Sequence, residues 1–198
     1  AWTTTPWTLP SNTALCVGPN IVYNVIKTEN PYTNAPITVV LAKDLVSNFF
    51  GEKKITNFEV VEEITGSKLA GMEYEQLIPW VNPGEGAFRV ITGDFVTTED
   101  GTGIVHIAPT FGADDDRVAK QNGVPALLLI DKNGNKRPLV DMTGKFYKIE
   151  DLDADYVKTN VNVDLYSEWA GRFVKNAFDP NLTDDDATLD IDLCVMLK

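Results

Sequence analysis

The chain is 198 residues long, 43% hydrophobic and 23% charged, the size and balance of a folded domain with its own core. Its formal net charge of −12 argues against nucleic-acid binding driven by this segment alone, which would leave a basic footprint. No apolar run approaches the roughly 20 residues that span a bilayer, and no basic-then-apolar leader is visible, so a cytoplasmic location is expected. The first residue is not methionine, and the chain opens on a strand-like stretch, so a segment of a longer protein is expected. Cys16 and Cys194 belong to no CxxC or Cys/His cluster, which gives zinc no support and leads us to expect free, buried thiols.

In chain order, "WTTTPWTLPSN" (2–12) comes first, with β-branched and aromatic residues that favour a strand ended by Pro6. The "LPSN" that follows reads as a turn in which Ser11 or Asn12 caps a short helix. "NIVYNVIKTEN" alternates as a strand does. "PITVVLAKDLVSNFFG" starts as a strand and turns helical, with Ala42, Leu45, Val46 and Phe49 on one face and Gly51 as terminator. "NFEVVEEITG" is a further strand, and "TGSKLAGMEYEQLIPW" an ordered connector broken by Gly66 and Gly71. "GAFRVITGDFVTTEDGTGIVHIAP" holds two strands joined by the glycine-rich "EDGTG" turn. "GADDDRVAKQNG" is a helix with three aspartates at its start, Lys120 near its end and Gly123 as its stop. "VPALLLIDKNGNKRPLV" reads as strand, Asn-Gly turn, strand. "YVKTNVNVDLYSEWAGRFV" reads as one helix with Trp169 and Phe173 on its apolar side. "DPNLTDDDATLDIDL" is an acidic loop, its "DDD" at 184–186 a solvated loop or a helix start, leading to a last strand. Many strands, few short helices and no βαβ alternation predict an α+β fold with a barrel-like core and peripheral helices.

Chemistry has few places to reside. The only histidine, His106, lies in the strand "GTGIVHIAP", where it is either a core residue or a polar group of a pocket. Nine positions on comes Asp115, between Asp114 and Asp116. The run either compensates the helix dipole or offers a carboxylate to a substrate ammonium at the end of the histidine's strand. The dense hydroxyls of Thr3, Thr4, Thr5 and Thr8 exceed what a strand needs and suit a site that hydrogen-bonds a small polar ligand from several directions.

"WTTTPWTLPSN", followed at this distance by "GTGIVHIAPTFGADD" with the "GSKLAGMEYEQL" connector between, resembles the editing domain of isoleucyl-tRNA synthetases, the insertion called connective polypeptide 1. The valyl and leucyl enzymes share the layout but carry a "TTRP" type of threonine peptide and usually lack histidine after "GTG". "TTTPWT" with "VHIAP" therefore favours the isoleucine enzyme, the valyl or leucyl counterpart standing as the alternative. HIGH- and KMSKS-type signatures are absent, so amino-acid activation is not expected here. The resemblance implies one editing domain over 1–198, with 124–190 a peripheral insertion that it does not cover well. It implies hydrolysis of valine misattached to isoleucine tRNA, and possible hydrolysis of valyl-adenylate. Its partners would be the charged 3′ end of that tRNA and the rest of the synthetase chain, with no membrane.

The resemblance also distributes roles. Asp115, with Asp114 beside it, would receive the valine ammonium, and Thr3, Thr4, Thr5 and Thr8 would bind the ester, ribose and attacking water. His106 would line and size the side-chain pocket, Asn12 would close the threonine peptide, and Trp7 would underlie the terminal adenosine or simply pack. No cofactor or metal is implied for this domain. ATP and Mg would belong to the synthetase's separate catalytic domain. Two rivals remain open at this point: a catalytically passive module that docks the tRNA acceptor end, and a metal-dependent hydrolase using Asp114, Asp115 and Asp116. Three adjacent helical aspartates point in different directions and make a poor ligand set.

Overall fold

The computed structural model describes residues 1–183 and 185–198. The chain divides into two compact units: Ala1–Thr3 with Ala14–Tyr74 and Phe88–Ile107, and Thr4–Thr13 with Glu75–Ala87 and Ala108–Lys198.

In the first unit the strands are β1 (Ala14–Val17), β2 (Val22–Glu29), β3 (Pro36–Ala42), β4 (Phe58–Thr65), β5 (Arg89–Thr92) and β6 (Ile104–Ile107). Its helices are the short α1 (Val46–Phe49), entered through a 3-10 turn at Lys43–Leu45, and α2 (Gly66–Leu69) in the expected connector. β2 lies between β3 and β4, antiparallel to both, with a register shift at Val25/Ile26. β1 lies between β5, parallel, and β6, antiparallel.

The two strands expected to meet across "EDGTG" are therefore not a hairpin. The short "ALCV" strand, not foreseen from sequence, separates them. Ala14, Cys16 and Val17 are essentially inaccessible, and a strand buried on both faces belongs at the centre of its sheet. Gly103 of the same glycine-rich turn is held tightly. It has φ +70°, and a Cβ there would lie 2.5 Å from that of Ala42. Its carbonyl accepts from the buried Tyr23 hydroxyl at 2.7 Å, and that hydroxyl in turn accepts the Gly18 N–H at 3.0 Å. Tyr23 sits in a core with Val17, Ala42, Leu45 and Leu69, beside a second cluster of Ile26, Leu41 and Phe50. The chain leaves α1 after Phe49 at the extended C-cap Phe50, whose ring enters that cluster, and the expected terminator Gly51 follows the cap directly.

The second unit holds a 3-10 helix at Pro6–Ser11, α3 (Ala113–Gln121), the short ladder of β7 (Leu129–Ile130) and β8 (Lys136–Arg137), α4 (Ala154–Asn160), α5 (Val163–Tyr166) and α6 (Leu189–Met196). Its core is aromatic. The ring of Trp80 packs on Phe146, Tyr166 and Trp169 at centroid distances of 5.5, 5.6 and 5.1 Å, among Leu127, Leu129, Leu139 and Leu193. Residues 124–190 thus supply much of this unit's buried apolar surface.

The structure departs from several expectations. The opening threonines form no strand. Pro6, with fixed φ and no N–H, starts a 3-10 helix, Ser11 ends it and Asn12 is its C-cap, so neither residue caps a following helix. The single helix expected over "YVKTNVNVDLYSEWAGRFV" is two. Val161 is extended and bridges Val81, and the Asn162 side chain then caps α5 by accepting the Leu165 N–H. The last element is a helix. "LDIDL" alternates, but Leu189 and Leu193, four apart, are the buried pair. The α+β class holds, while among the described residues the strands form separate small sheets and no closed barrel. Cys16 is buried, but Cys194 is exposed on α6, and neither is in a disulfide. Of the 184–186 run, Asp184 lies outside the described residues. Asp186 folds back to accept from the N–H and hydroxyl of Thr183. Among the described residues no helix is long and apolar enough to cross a membrane.

Candidate functional site

Thr3 and His106 belong to the first unit and the other candidate residues to the second. Thr3 is half-buried. His106 stands opposite Leu15 in the β1–β6 pair, on the face where Leu15 and Val90 are only half-covered, and is itself half-buried. It is not a residue of the fully buried core.

In the second unit, Pro6 sets the geometry of the threonine peptide. Thr4 and Thr5 precede the 3-10 helix and are exposed. Thr8 is buried inside it, and both its N–H and its hydroxyl donate to the Thr5 carbonyl, at 3.1 and 2.9 Å. That hydroxyl is thus committed to the turn. Asn12 is buried, and its N–H donates to the Leu9 carbonyl at 3.0 Å. Trp7 packs edge-on against Phe111 at a centroid distance of 5.0 Å. This contact seats the first motif block on the "PTFGADD" loop of the second, and Phe111 was not singled out from the sequence.

The aspartate run resolves into three different roles. Asp114 pairs with Arg117 at 3.2 Å and Asp116 with Lys120 at 2.6 Å, both on α3's own solvent side. Asp115 is half-buried, and its Oδ2 accepts the Ala108 N–H at 2.9 Å, just past the end of β6. The N-cap of α3 is Gly112, which has no side chain to compete for that place. A Cβ at Gly112 would sit 3.0 Å from the Asp115 Cγ and 3.2 Å from Oδ2. Glycine therefore leaves the carboxylate its room. No three His, Cys, Asp or Glu side chains come together as a metal site among the described residues.

A cavity of about 350 Å³ opens beside the threonine peptide, lined by Thr4, Thr5, Trp7, Lys175, Asn176 and Asp190 among others. The Asp190 Oδ1 accepts the Trp7 N–H at 2.8 Å, and the Lys175 ammonium lies 5.6 Å from the Trp7 ring centroid. Burial raises the Asp190 carboxyl above its ordinary pKa, against the smaller opposing pull of the Trp7 N–H and Lys175. Nothing in the sequence marked Asp190 or Lys175, since their partner is almost the whole chain away. A larger cavity, about 630 Å³, lies elsewhere in this unit, around Trp80, Trp169 and Met196, and none of the candidate residues borders it.

The isoleucine–tRNA ligase of Bacteroides fragilis is 63% identical over this entire chain, which spans 18% of that protein. That of Porphyromonas gingivalis is 60% identical over the entire chain and 19% of its own length. That of Thermoplasma volcanium is 48% identical over 68% of this chain and 12% of its own length. A solved structure described as the crystal structure of GlLeuRS-CP1 superposes with a TM-score of 0.42 and 19% identity, over 69% of this chain and 53% of that one. No family model matches the chain. The sequence relatives are aminoacyl-tRNA ligases, and they bear out the resemblance read from the two motif blocks. The chain belongs to the isoleucine–tRNA ligase family, and it spans about a fifth of the length of the relatives that it matches end to end.

Proposed function

We propose that this chain is an editing hydrolase module, which cleaves the ester joining valine to the 3′-terminal ribose of isoleucine tRNA and also accepts valyl-adenylate. The observation that carries this reading is the packing of Trp7 on Phe111, which joins the threonine peptide to the loop leading into Asp115. The need is physical. Valine lacks one methylene of isoleucine, and an apolar pocket draws only about 1–3 kcal/mol from such a difference, a magnitude for which the isoleucine enzyme is itself the standard example. A second site that admits the smaller residue and hydrolyses its ester supplies the remaining discrimination.

Asp115 receives the valine ammonium as a charge-assisted pair, its carboxylate oriented by the Ala108 N–H. Asp114 adds negative charge beside it. Thr3, Thr4 and Thr5 hydrogen-bond the ester, the ribose and the attacking water. Thr8 and Asn12 shape the peptide that carries them, and Trp7 supports the terminal adenosine. His106 sets the size of the side-chain pocket. Water oxygen attacks the ester carbonyl, the carbonyl–oxygen bond to ribose breaks, and the water's proton passes to the leaving ribose oxygen. No strong general base is needed, because the aminoacyl ester is already activated and orientation of the water lowers the barrier. The module uses no metal or cofactor. ATP and Mg serve the ligase's separate catalytic domain. With a net charge of −12, it depends on the rest of the ligase chain for most of its hold on tRNA.

The test is deacylation of valine-charged isoleucine tRNA by the full-length ligase. Asp115→Ala is expected to abolish it while leaving aminoacylation intact, and His106→Ala to extend hydrolysis to isoleucyl-tRNA. Wild-type enzyme that leaves the valyl ester untouched would establish the passive docking role instead. Loss of the rate on chelation would favour a metal mechanism.

A further inference from the structure

The 3-10 helix that follows the threonine peptide has an unusual start. A threonine at the N-cap ordinarily turns its own hydroxyl onto the N–H of the second or third helical residue. Thr5 is the N-cap here, and its hydroxyl makes no such bond. Pro6, at the first position, has no N–H to satisfy, so the first donor of the helix is that of Trp7. It is satisfied by Asp190, in the first turn of α6, at 2.8 Å. A carboxylate 183 residues away thus performs the capping that the local threonine would otherwise perform. Asp190 also borders the cavity lined by Thr4 and Thr5, and Lys175, on that same wall, stands over the Trp7 ring. The bond is half-buried and charge-assisted, the stronger kind of backbone contact.

We infer that Asp190 is a positioning residue for the editing reaction: by capping the helix at Trp7 it fixes the direction of the Thr4–Thr5 backbone and keeps the Thr5 hydroxyl from being drawn into a local cap. The inference rests on the hydrolase role proposed above. Asp190 meets neither substrate nor water itself, and acts through the peptide that does.

The experiment compares Asp190→Ala and Asp190→Asn in the full-length ligase, by steady-state deacylation of valine-charged tRNA, with Asp115→Ala alongside. Asp190→Ala is expected to lower kcat roughly 10- to 100-fold, the cost of misplacing reacting groups by about an ångström, with KM changed less than about twofold. Asn keeps an acceptor oxygen for the Trp7 N–H and should restore kcat to within about threefold of wild type. Aminoacylation by the same preparations reports intact folding of the rest of the ligase, and the tryptophan emission spectrum reports on the module. A full kcat in Asp190→Ala overturns the inference, and so does an Asn variant as slow as the Ala variant. A change confined to KM overturns it too, since that would make Asp190 a substrate-binding group. If wild type deacylates and Asp115→Ala does not, the hydrolase role stands whatever Asp190 does. If wild type is inactive, that role fails first.

Discussion

α3 and α6 both begin with aspartates, acids placed against a helix dipole, and the two starts are built alike. In α3, Asp114 and Asp116 pair with Arg117 and Lys120, while Asp115 turns inward to the Ala108 N–H. In α6, Asp192 pairs with Arg172, while Asp190 turns to the Trp7 N–H. Each helix thus spends some acid on exposed cations and one on a backbone donor of another segment. The second kind is a tether to a motif block, Asp115 holding Ala108 within the second and Asp190 holding Trp7 of the first. Dipole compensation is worth about 0.3–1 kcal/mol at an exposed helix end and is indifferent to which aspartate supplies it. A tether is not indifferent, and substitution separates the two.

The largest contrast is within the run itself. Asp115→Ala is expected to reduce deacylation of valyl-tRNA by at least roughly 100-fold, the scale set by losing the group that positions the substrate. Asp116→Ala, which breaks only an exposed ion pair, and Asp114→Ala, which also removes a charge beside the ammonium site, should stay within a few-fold. Rates measured side by side decide it. Three equal losses would mean that the run acts through its summed charge, and the distinction drawn here between its members would disappear.

A smaller effect is expected at Gly112. An added Cβ would press on the Asp115 carboxyl at 3.0 Å, so Gly112→Ala must move that carboxyl by a few tenths of an ångström. Deacylation should fall about 10-fold. The stability cost, read from the urea midpoint, should stay near about 1 kcal/mol, since glycine is a fair N-cap and alanine a poor one. An unchanged rate would show that the Asp115 carboxylate does not need its present seat.

A third kind of acid tests the comparison through pH. Asp131, in the turn between β7 and β8, gathers the N–H groups of Asn133 and Asn135, the Asn135 amide and the Arg137 guanidinium. The Asn135 N–H first, then Arg137, hold its carboxyl at about 2. The folded pKa is depressed, so the stability it contributes is fully present above the unfolded value of about 4 and is lost as pH falls toward about 2. The difference in unfolding midpoint between wild type and Asp131→Asn should be flat above about pH 5 and should shrink between about pH 4 and 2. A difference that stays constant down to pH 2 would show that the charge of Asp131 adds nothing to its turn.

How much of this was legible in the residues depends on whether the signal is local. "GADDDRVAKQNG" carries its start, its charges and its stop within one stretch, and α3 forms where expected, from Ala113 to Gln121. β2, β3 and β4 form in the stretches expected to be strands. "LDIDL" alternates too, yet folds as a helix, because the buried neighbours of Leu189 and Leu193 lie far off in sequence and local pattern cannot weigh them. "ALCV" was missed because four apolar residues carry no period, and its two neighbours come from residues 89–92 and 104–107. At the site, the motif blocks were visible as words, while the Trp7–Phe111 contact and the Asp190 cap were not. Both are meetings of distant segments, made by the fold and not by spacing.

The smallest expected effect falls on the other acid of α6. Asp192 and Arg172 form an ion pair with both side chains substantially exposed, and Arg172 also lies over the Trp169 ring at 4.9 Å. Asp192→Asn removes the charge but leaves an acceptor, and the guanidinium keeps its aromatic seat. An exposed pair of this kind contributes about 0.2–1 kcal/mol, and salt weakens it. The urea midpoint should therefore move only slightly, less at 1 M salt than at 0.1 M, and valyl-tRNA deacylation should not change. If Asp192→Asn slowed deacylation as much as Asp190→Ala, the tether would belong to the helix as a whole, since any loosening of α6 would then reach the threonine peptide. A silent Asp192 beside a costly Asp190 would place the effect on one carboxylate and the single N–H that it holds.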